Sequence, residues 1–338
     1  MRMLSYHTKM RLRKVFTVLG ILALVALLLW ICWLVWLQRF IVYTRDGVVF
    51  NFDRSTTNLS GKEEGQVQPG ETVALDISLA ETVEETPTGL QPLTGFYADS
   101  ELLSEEFEAL QAQLEALEPG TAVLLDVKSK FGNFYYTTGL TGASQSTAVD
   151  AGAMDSLIRT LRQKDLYLIA RVPAFRDSAF AQANLSCGLA VASGALWTDE
   201  DQCYWLDPAN TQVMRNLIQL CRELRNLGFD EVVFTDFRIP DSGSIVYSAS
   251  SSKDQIIRDA AAQLVTACAS DQFTVSFQAS SGFQLPEGQC RLYLENVAPE
   301  QAAATASGAA VGDSARLVFL TDTRDTRFDE YSVLRRIL

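Results

Sequence analysis

Apolar and polar positions follow two periods along residues 93–338. Short runs that are apolar on both faces, at 95–98, 122–127, 167–172, 232–234, 273–277, 291–297 and 316–320, read as parallel strands, which are buried on both sides and need not alternate. Between them lie stretches with apolar residues every three or four positions, at 104–117, 153–164, 253–269, 299–305 and a terminal segment, which read as helices. The segment 205–240 shows the pattern most clearly. Asp207 and Pro208 offer an N-cap and a first helical residue. Val213, Leu217, Leu220, Cys221, Leu224 and Leu227 form one stripe, and Gly228 stands where a left-handed residue closes a helix. The apolar run 232–234 follows, and charge appears where it ends, at Asp236 and Arg238. Strand and helix alternating over this length predict an α/β domain, a (β/α)8 TIM-type barrel, complete or with an element missing. Seven strands are evident, and the eighth is expected around 197–205 or at 73–77. A doubly wound open sheet is the alternative, but no G-x-G-x-x-G follows the first strand to cradle a nucleotide.

The N-terminal third has a different texture. Residues 15–37 carry no charge and would extend about 35 Å as a helix, enough to cross a bilayer. Arg2, Lys9, Arg11, Arg13 and Lys14 precede them with no acid among them, so the tail 1–14 is expected in the cytoplasm and the rest of the chain outside. The apolar run is longer than a secretory signal and lacks an A-x-A-like cleavage site, which favours an uncleaved transmembrane signal anchor. Residues 38–52 show two β-rich runs around Asp46 and Gly47, a β-hairpin signal. Residues 53–92, rich in Thr, Glu, Gly, Gln and Pro, read as a linker to the barrel at 93–338.

Charge and composition narrow the chemistry. The chain has 41 Asp and Glu against 28 Lys and Arg, a formal net charge of −13, and five of the basic residues precede the span. Nucleic acid is therefore not an expected partner. His7 is the only histidine, so an exported barrel has no Ser-His-Asp or Cys-His machinery and no imidazole zinc site. No metal or other cofactor is expected, and acid–base work falls to carboxylates, lysine, tyrosine or cysteine. Beyond the span lie Cys187, Cys203, Cys221, Cys268 and Cys290, an odd number. Cys221 and Cys268 suit apolar helix faces, while Cys187 and Cys203 flank one loop and could pair in an oxidising compartment.

In a barrel the C-terminal strand ends share one face, and acids and bases gather there in this sequence. Asp126 and Lys128 end the second strand, Arg171 the third, Asp236 and Arg238 the fourth and Glu295 the sixth, with Asp322 after the last evident one. Paired carboxylates without histidine are sufficient for glycoside hydrolysis. Asp236, Glu295 and Asp126 are the candidate catalytic residues, and Lys128, Arg171, Trp205, Asp207, Arg238 and Asp322 the candidate contacts to a carbohydrate. Simpler roles compete with these. Asp207 has a sufficient role as a cap, Arg171 and Arg238 as neutralisers of Asp126 and Asp236, and Trp205 as packing. A protein partner cannot be named from the sequence.

The runs LLDVKSKFGNFYY, YLIARVPAFRD, WLDP and GFDEVVFTDFRIP, between residues 122 and 240, resemble the bacterial family described as a putative glycosyl hydrolase domain, in its order and spacing. The residues that carry the likeness include Asp126, Lys128, Gly132, Ala170, Arg171, Phe175 and Asp177. The resemblance implies a barrel related to α-amylase-like hydrolases, acting on a carbohydrate, with the cell envelope as its expected source. It also implies departures. Where the family's fourth strand reads F-D-E-I-Q-F-D-Y-V-R-F-P, its acid falls on Thr235 and its aromatic on Asp236, and where its fifth strand has an acid this chain has Gln278. A one-residue shift turns a side chain to the other face of a strand, so Asp236 points away from the mouth unless the backbone departs from regular β. If catalysis survives, the expectation is Asp236 as nucleophile or base and Glu295 or Asp126 as acid. The alternative is a degenerate barrel that binds glycan or an envelope protein without turnover.

Overall fold

Eight parallel strands close on themselves. The computed structural model describes residues 41–44, 47–50, 89–247, 251–309, 311 and 313–337. Contacts divide the chain into a unit at 1–80 and a unit at 81–338. In the first, β1 (Ile41–Thr44) pairs antiparallel with β2 (Gly47–Phe50), Ile41 opposite Phe50 and Thr44 opposite Gly47. The expected anchor at 15–37 and the possible strand at 73–77 lie outside the described residues.

In chain order, the second unit runs through β3 (Thr94–Ala98), α1 (Ser100–Glu105), α2 (Phe107–Glu115), β4 (Ala122–Asp126), the two-residue strands β5 (Asn133–Phe134) and β6 (Ser144–Gln145), α3 (Ala151–Gln163), β7 (Tyr167–Pro173) and α4 (Ser178–Ala183). It continues with α5 (Thr211–Leu227), β8 (Glu231–Thr235), α6 (Lys253–Cys268), β9 (Thr274–Gln278), β10 (Leu292–Glu295), α7 (Ala302–Gly308), β11 (Leu317–Thr321) and β12 (Ser332–Arg336). The barrel closes in the order β10, β11, β12, β3, β4, β7, β8, β9. Side chains alternate between its two faces. Tyr97, Leu124, Ile169, Val233, Tyr293, Val318 and Leu334 fill the interior, while the opposite-facing residues join the layer under α3, α5 and α6 or a smaller one under α7. The (β/α)8 pattern is incomplete: the β9–β10 connection has no helix, and only a single 3-10 turn, Thr326–Phe328, separates β11 from β12.

Three details correct the sequence reading. The eighth strand is β12, in a segment that the sequence assigns to a terminal helix, and not 197–205, which forms an antiparallel turn bridged at Thr198 and Tyr204. Only Val333 and Leu334 supply apolar alternation in β12 before Arg335 and Arg336. Its partners decide its form, since Val318 lies opposite Ser332 on one side and Thr94 opposite Val333 on the other. The helix expected from Asp207 starts at Thr211 with Asn210 as N-cap, because Asp207 instead closes a turn, its side chain accepting from Ala209 N–H at 2.9 Å. The expected helix over 104–117 is two, α1 and α2, which meet at Glu106. Gly228 does end α5 in the left-handed conformation, at φ 99°. Cys187 and Cys203 are separate buried thiols.

The N-terminal end of the barrel is plugged by charge. Glu231, without exposed surface, pairs with Arg291 at 2.5 Å and accepts from the hydroxyls of Tyr167 (3.0 Å) and Tyr293 (2.9 Å). Arg291 also donates to the carbonyls of Ala315 and Gln91, so both charges are saturated. Glu231→Gln leaves that guanidinium without a counter-charge and is expected to cost about 3–5 kcal/mol, read from the urea midpoint. The double change Glu231→Met with Arg291→Met is expected to cost less than the single one.

Candidate active site

At the other end of the barrel Arg171 organises the mouth. It leaves β7 pointing inward and grips Asp126, the last residue of the neighbouring β4, with Nε to Oδ1 at 2.5 Å and Nη2 to Oδ2 at 3.2 Å. Ser100 N–H donates to the same carboxylate at 2.8 Å. The Nη1 of Arg171 lies 3.7 Å from Glu295 Oε1, and its guanidinium sits over the Tyr97 ring at 5.7 Å. Burial works against the charge on Arg171, and Asp126 and Glu295 more than restore it, so its pKa is raised. Glu295 is less enclosed: its Oε2 accepts from Gln278 Nε2 at 2.7 Å, and its side chain is 34% exposed.

The residue at the end of β8 arrives by a different route. Thr235 occupies the inward position, two residues beyond the interior Val233, so on a continued strand Asp236 would face the helices. The chain instead turns at Asp236, which is left-handed at φ 49°. Phe237 then packs against Phe175 and Phe277, ring centroids 4.8 and 4.6 Å away. Asp236 itself lines the mouth together with Thr235, Gln278 and Glu295. A left-handed non-glycine residue costs about 1–3 kcal/mol, held here by the aromatic packing that follows it. Burial raises the pKa of the Asp236 carboxyl from its ordinary value, while Arg176 and Arg238 pull it down less strongly.

Beside this centre is a network that the sequence reading did not foresee. Arg176 donates to Asp199 and Asp201, each at 2.6 Å, and Lys130 meets Asp201 at 2.7 Å. Trp205 Nε1 donates to Asp199 Oδ2 at 2.8 Å. The only sequence signal is the acidic run 199–201 following a loop tryptophan, opposite a strand-end Arg.

Residues 102–277 match the family described as "Putative glycosyl hydrolase domain", more than half of the chain. The chain belongs to that family. No curated protein matches it in sequence. Among solved structures it is similar to a hypothetical protein from Ruminiclostridium thermocellum, with 19% identity over 54% of this chain and 96% of that one, at a TM-score of 0.46. It is also similar to an α-galactosidase from Lactobacillus brevis, with 10% identity over 74% of this chain and 38% of that one, at a TM-score of 0.50. An α-galactosidase from Thermus thermophilus gives 16% identity over 69% and 47%, at 0.45. The chain spans less than half the length of either galactosidase, and the likeness to the Lactobacillus structure is one of fold.

Several of the residues singled out in the sequence have structural roles. Lys128 is buried and pairs with Asp177 at 2.6 Å, so it is a staple between the β4 and β7 loops and not a free contact for a sugar. Gly132, at φ 91°, passes so close to Asp177 that a Cβ there would stand 2.0 Å from Oδ1. Trp205 is 2% exposed, with the guanidinium carbons of Arg238 and Arg176 at 5.0 and 5.9 Å from its ring, and offers no open face for stacking. Asp207 is held by Ala209 N–H and the Tyr247 hydroxyl. Asp322 is an exposed rim residue whose charge reaches Tyr97. Of the expected residues, Asp126, Lys128, Arg171, Asp236 and Glu295 line one cavity of about 430 Å3, Lys128 while paired with Asp177, and the exposed Arg238 borders the space next to it.

The raised Asp236 carboxyl has a consequence for stability. Its folded pKa lies above the unfolded one, so the folded state holds the proton more firmly and stability falls as pH rises through the folded value. Asp236→Asn is therefore expected to raise the thermal midpoint at pH 7, with the gain shrinking as the pH is lowered through the carboxylate range. An unchanged midpoint at pH 7 would contradict the desolvated setting described for this carboxyl.

Proposed function

We propose that this domain hydrolyses glycosidic bonds, with Asp236 as general acid and Glu295 as base or nucleophile. The observation that carries the reading is that two carboxyls in unlike surroundings line one mouth, Asp236 desolvated and Glu295 held as an acceptor by Gln278 and Arg171. Glycosidases need such a division between proton donor and base. In the reaction the anomeric C–O bond breaks, Asp236 gives its proton to the leaving oxygen, and Glu295 acts on the anomeric carbon directly or through water. One water is consumed overall, leaving a hydroxyl on each product. The assignment reverses the role expected for Asp236 from sequence. Asp126 drops out of the pair because Arg171 and Ser100 occupy both of its oxygens.

A second reading has its own support. Thr235 and Gln278 stand at the inward strand ends where the resemblance places acids, which favours a barrel that binds glycan without cleaving it. Release of reducing ends from a panel of envelope and storage glycans separates the two. The full chain is expected to turn over at least one of them, and Asp236→Asn to lose about 10²–10⁴-fold while remaining folded. Binding with no turnover on any glycan would support the second reading.

The charge-free run at 15–37 and the basic residues before it support a single-pass anchor in the cell membrane, with the N-terminus cytoplasmic and the barrel outside. A carbohydrate of the cell envelope is then the substrate within reach. Protease added to intact spheroplasts is expected to degrade the barrel, and protection of the barrel until lysis would refute this placement.

A further inference from the structure

The mouth of the barrel is more than one depression. Three cavities open on it, and Asp236 lines all three. The axial one holds Asp126 and Arg171. A second, of about 960 Å3, extends between the segment after β8 and the β9–β10 connection, with Lys253 and Ser280 on its walls and Glu295 at its inner end. A third, of about 730 Å3, extends toward the 197–205 turn, past Trp197 and Ser242. Arg238 and Asp241 border both flanking cavities, so these meet at the residue assigned as the acid.

Pockets for small ligands span about 300–1,000 Å3, so each arm alone is as large as a complete pocket and the pair exceeds the needs of one terminal sugar. One arm is walled on one side by the start of α6, Lys253 to Arg258, and on the other by the helix-free β9–β10 connection. In the other arm, Trp197 is half-buried and lines the wall, its Nε1 anchored by donation to Ser244 Oγ at 3.0 Å.

We propose that the mouth is a through-groove that takes the interior of a polysaccharide, the chain running from Trp197 across Asp236 to the β9–β10 connection. Cleavage is then internal. The inference rests on the hydrolase reading for its chemistry, but its binding geometry stands separately. The test uses the full chain with reducing-end-labelled maltohexaose, cellohexaose and chitohexaose and the matching disaccharides.

Early appearance of labelled di- to tetrasaccharides from one hexasaccharide is the expected result. Stepwise removal of single sugars from an end would overturn the groove and leave the hydrolase reading in place. Without cleavage, a hexasaccharide binding at least tenfold more tightly than its disaccharide would uphold the groove and count against hydrolysis. That preference is then expected to disappear in Ser280→Trp, which fills one arm from an exposed position, and in Trp197→Ala, with Trp197→Phe restoring part of it. Without cleavage, hexasaccharides that bind no better than disaccharides, or do not bind, overturn the proposal.

Discussion

The buried pair of Glu231 and Arg291 sets the frame on which the mouth is built. With the hydroxyls of Tyr167 and Tyr293 it ties β7, β8 and β10 across the closed end of the barrel, and a one-residue slip in any of the three would strand a charge among apolar side chains. Once Glu231 faces inward, Val233 and Thr235 must as well, and the pairing of β8 with β7 and β9 carries that parity to Arg171 and Gln278. The choice of side chains presented to a ligand at one end therefore follows from an ion pair at the other.

That parity leaves Asp236 on the wrong face, and the backbone resolves the conflict. A left-handed residue at Asp236, and another at Asn296 directly after Glu295, end β8 and β10 abruptly where the two proposed reacting carboxyls sit. The mouth thus combines a guanidinium, Arg171, shared by two strand-end acids, with two left-handed backbone turns, that at Asp236 followed by the aromatic packing of Phe237. Such an arrangement permits unlike environments for two carboxyls on strands that only β9 separates.

Much of this was legible from residue periodicity. Seven strands, the helix ending at Gly228 and the gathering of charge at strand ends follow from local patterns, because parallel strands buried on both faces cannot hide their composition. The eighth strand was hidden because two apolar residues followed by two arginines carry no period, and only pairing with β11 and β3 makes a strand of them. Asp207 misled because a turn and a cap ask for the same side chain. The roles of Lys128 and Arg176 depend on partners far along the chain, Asp177, Asp199 and Asp201, and that of Trp205 on the fold of its own turn, none of which periodicity pairs. The proton-donor role of Asp236 depends on desolvation, a property of the assembled rim.

The neighbourhood of β3 and β12 also governs how the barrel is reached from the unfolded chain. The first and last barrel strands meet, with Leu93 and Ser332 hydrogen-bonded to each other, so closure needs a contact between residues 239 positions apart. Contacts of such separation carry the highest loop-closure entropy and form late. Until then β3 and β11 each present an unpaired edge, a surface able to recruit strands from other molecules. The domain's vulnerability to aggregation is thus concentrated in the interval before its final strand docks.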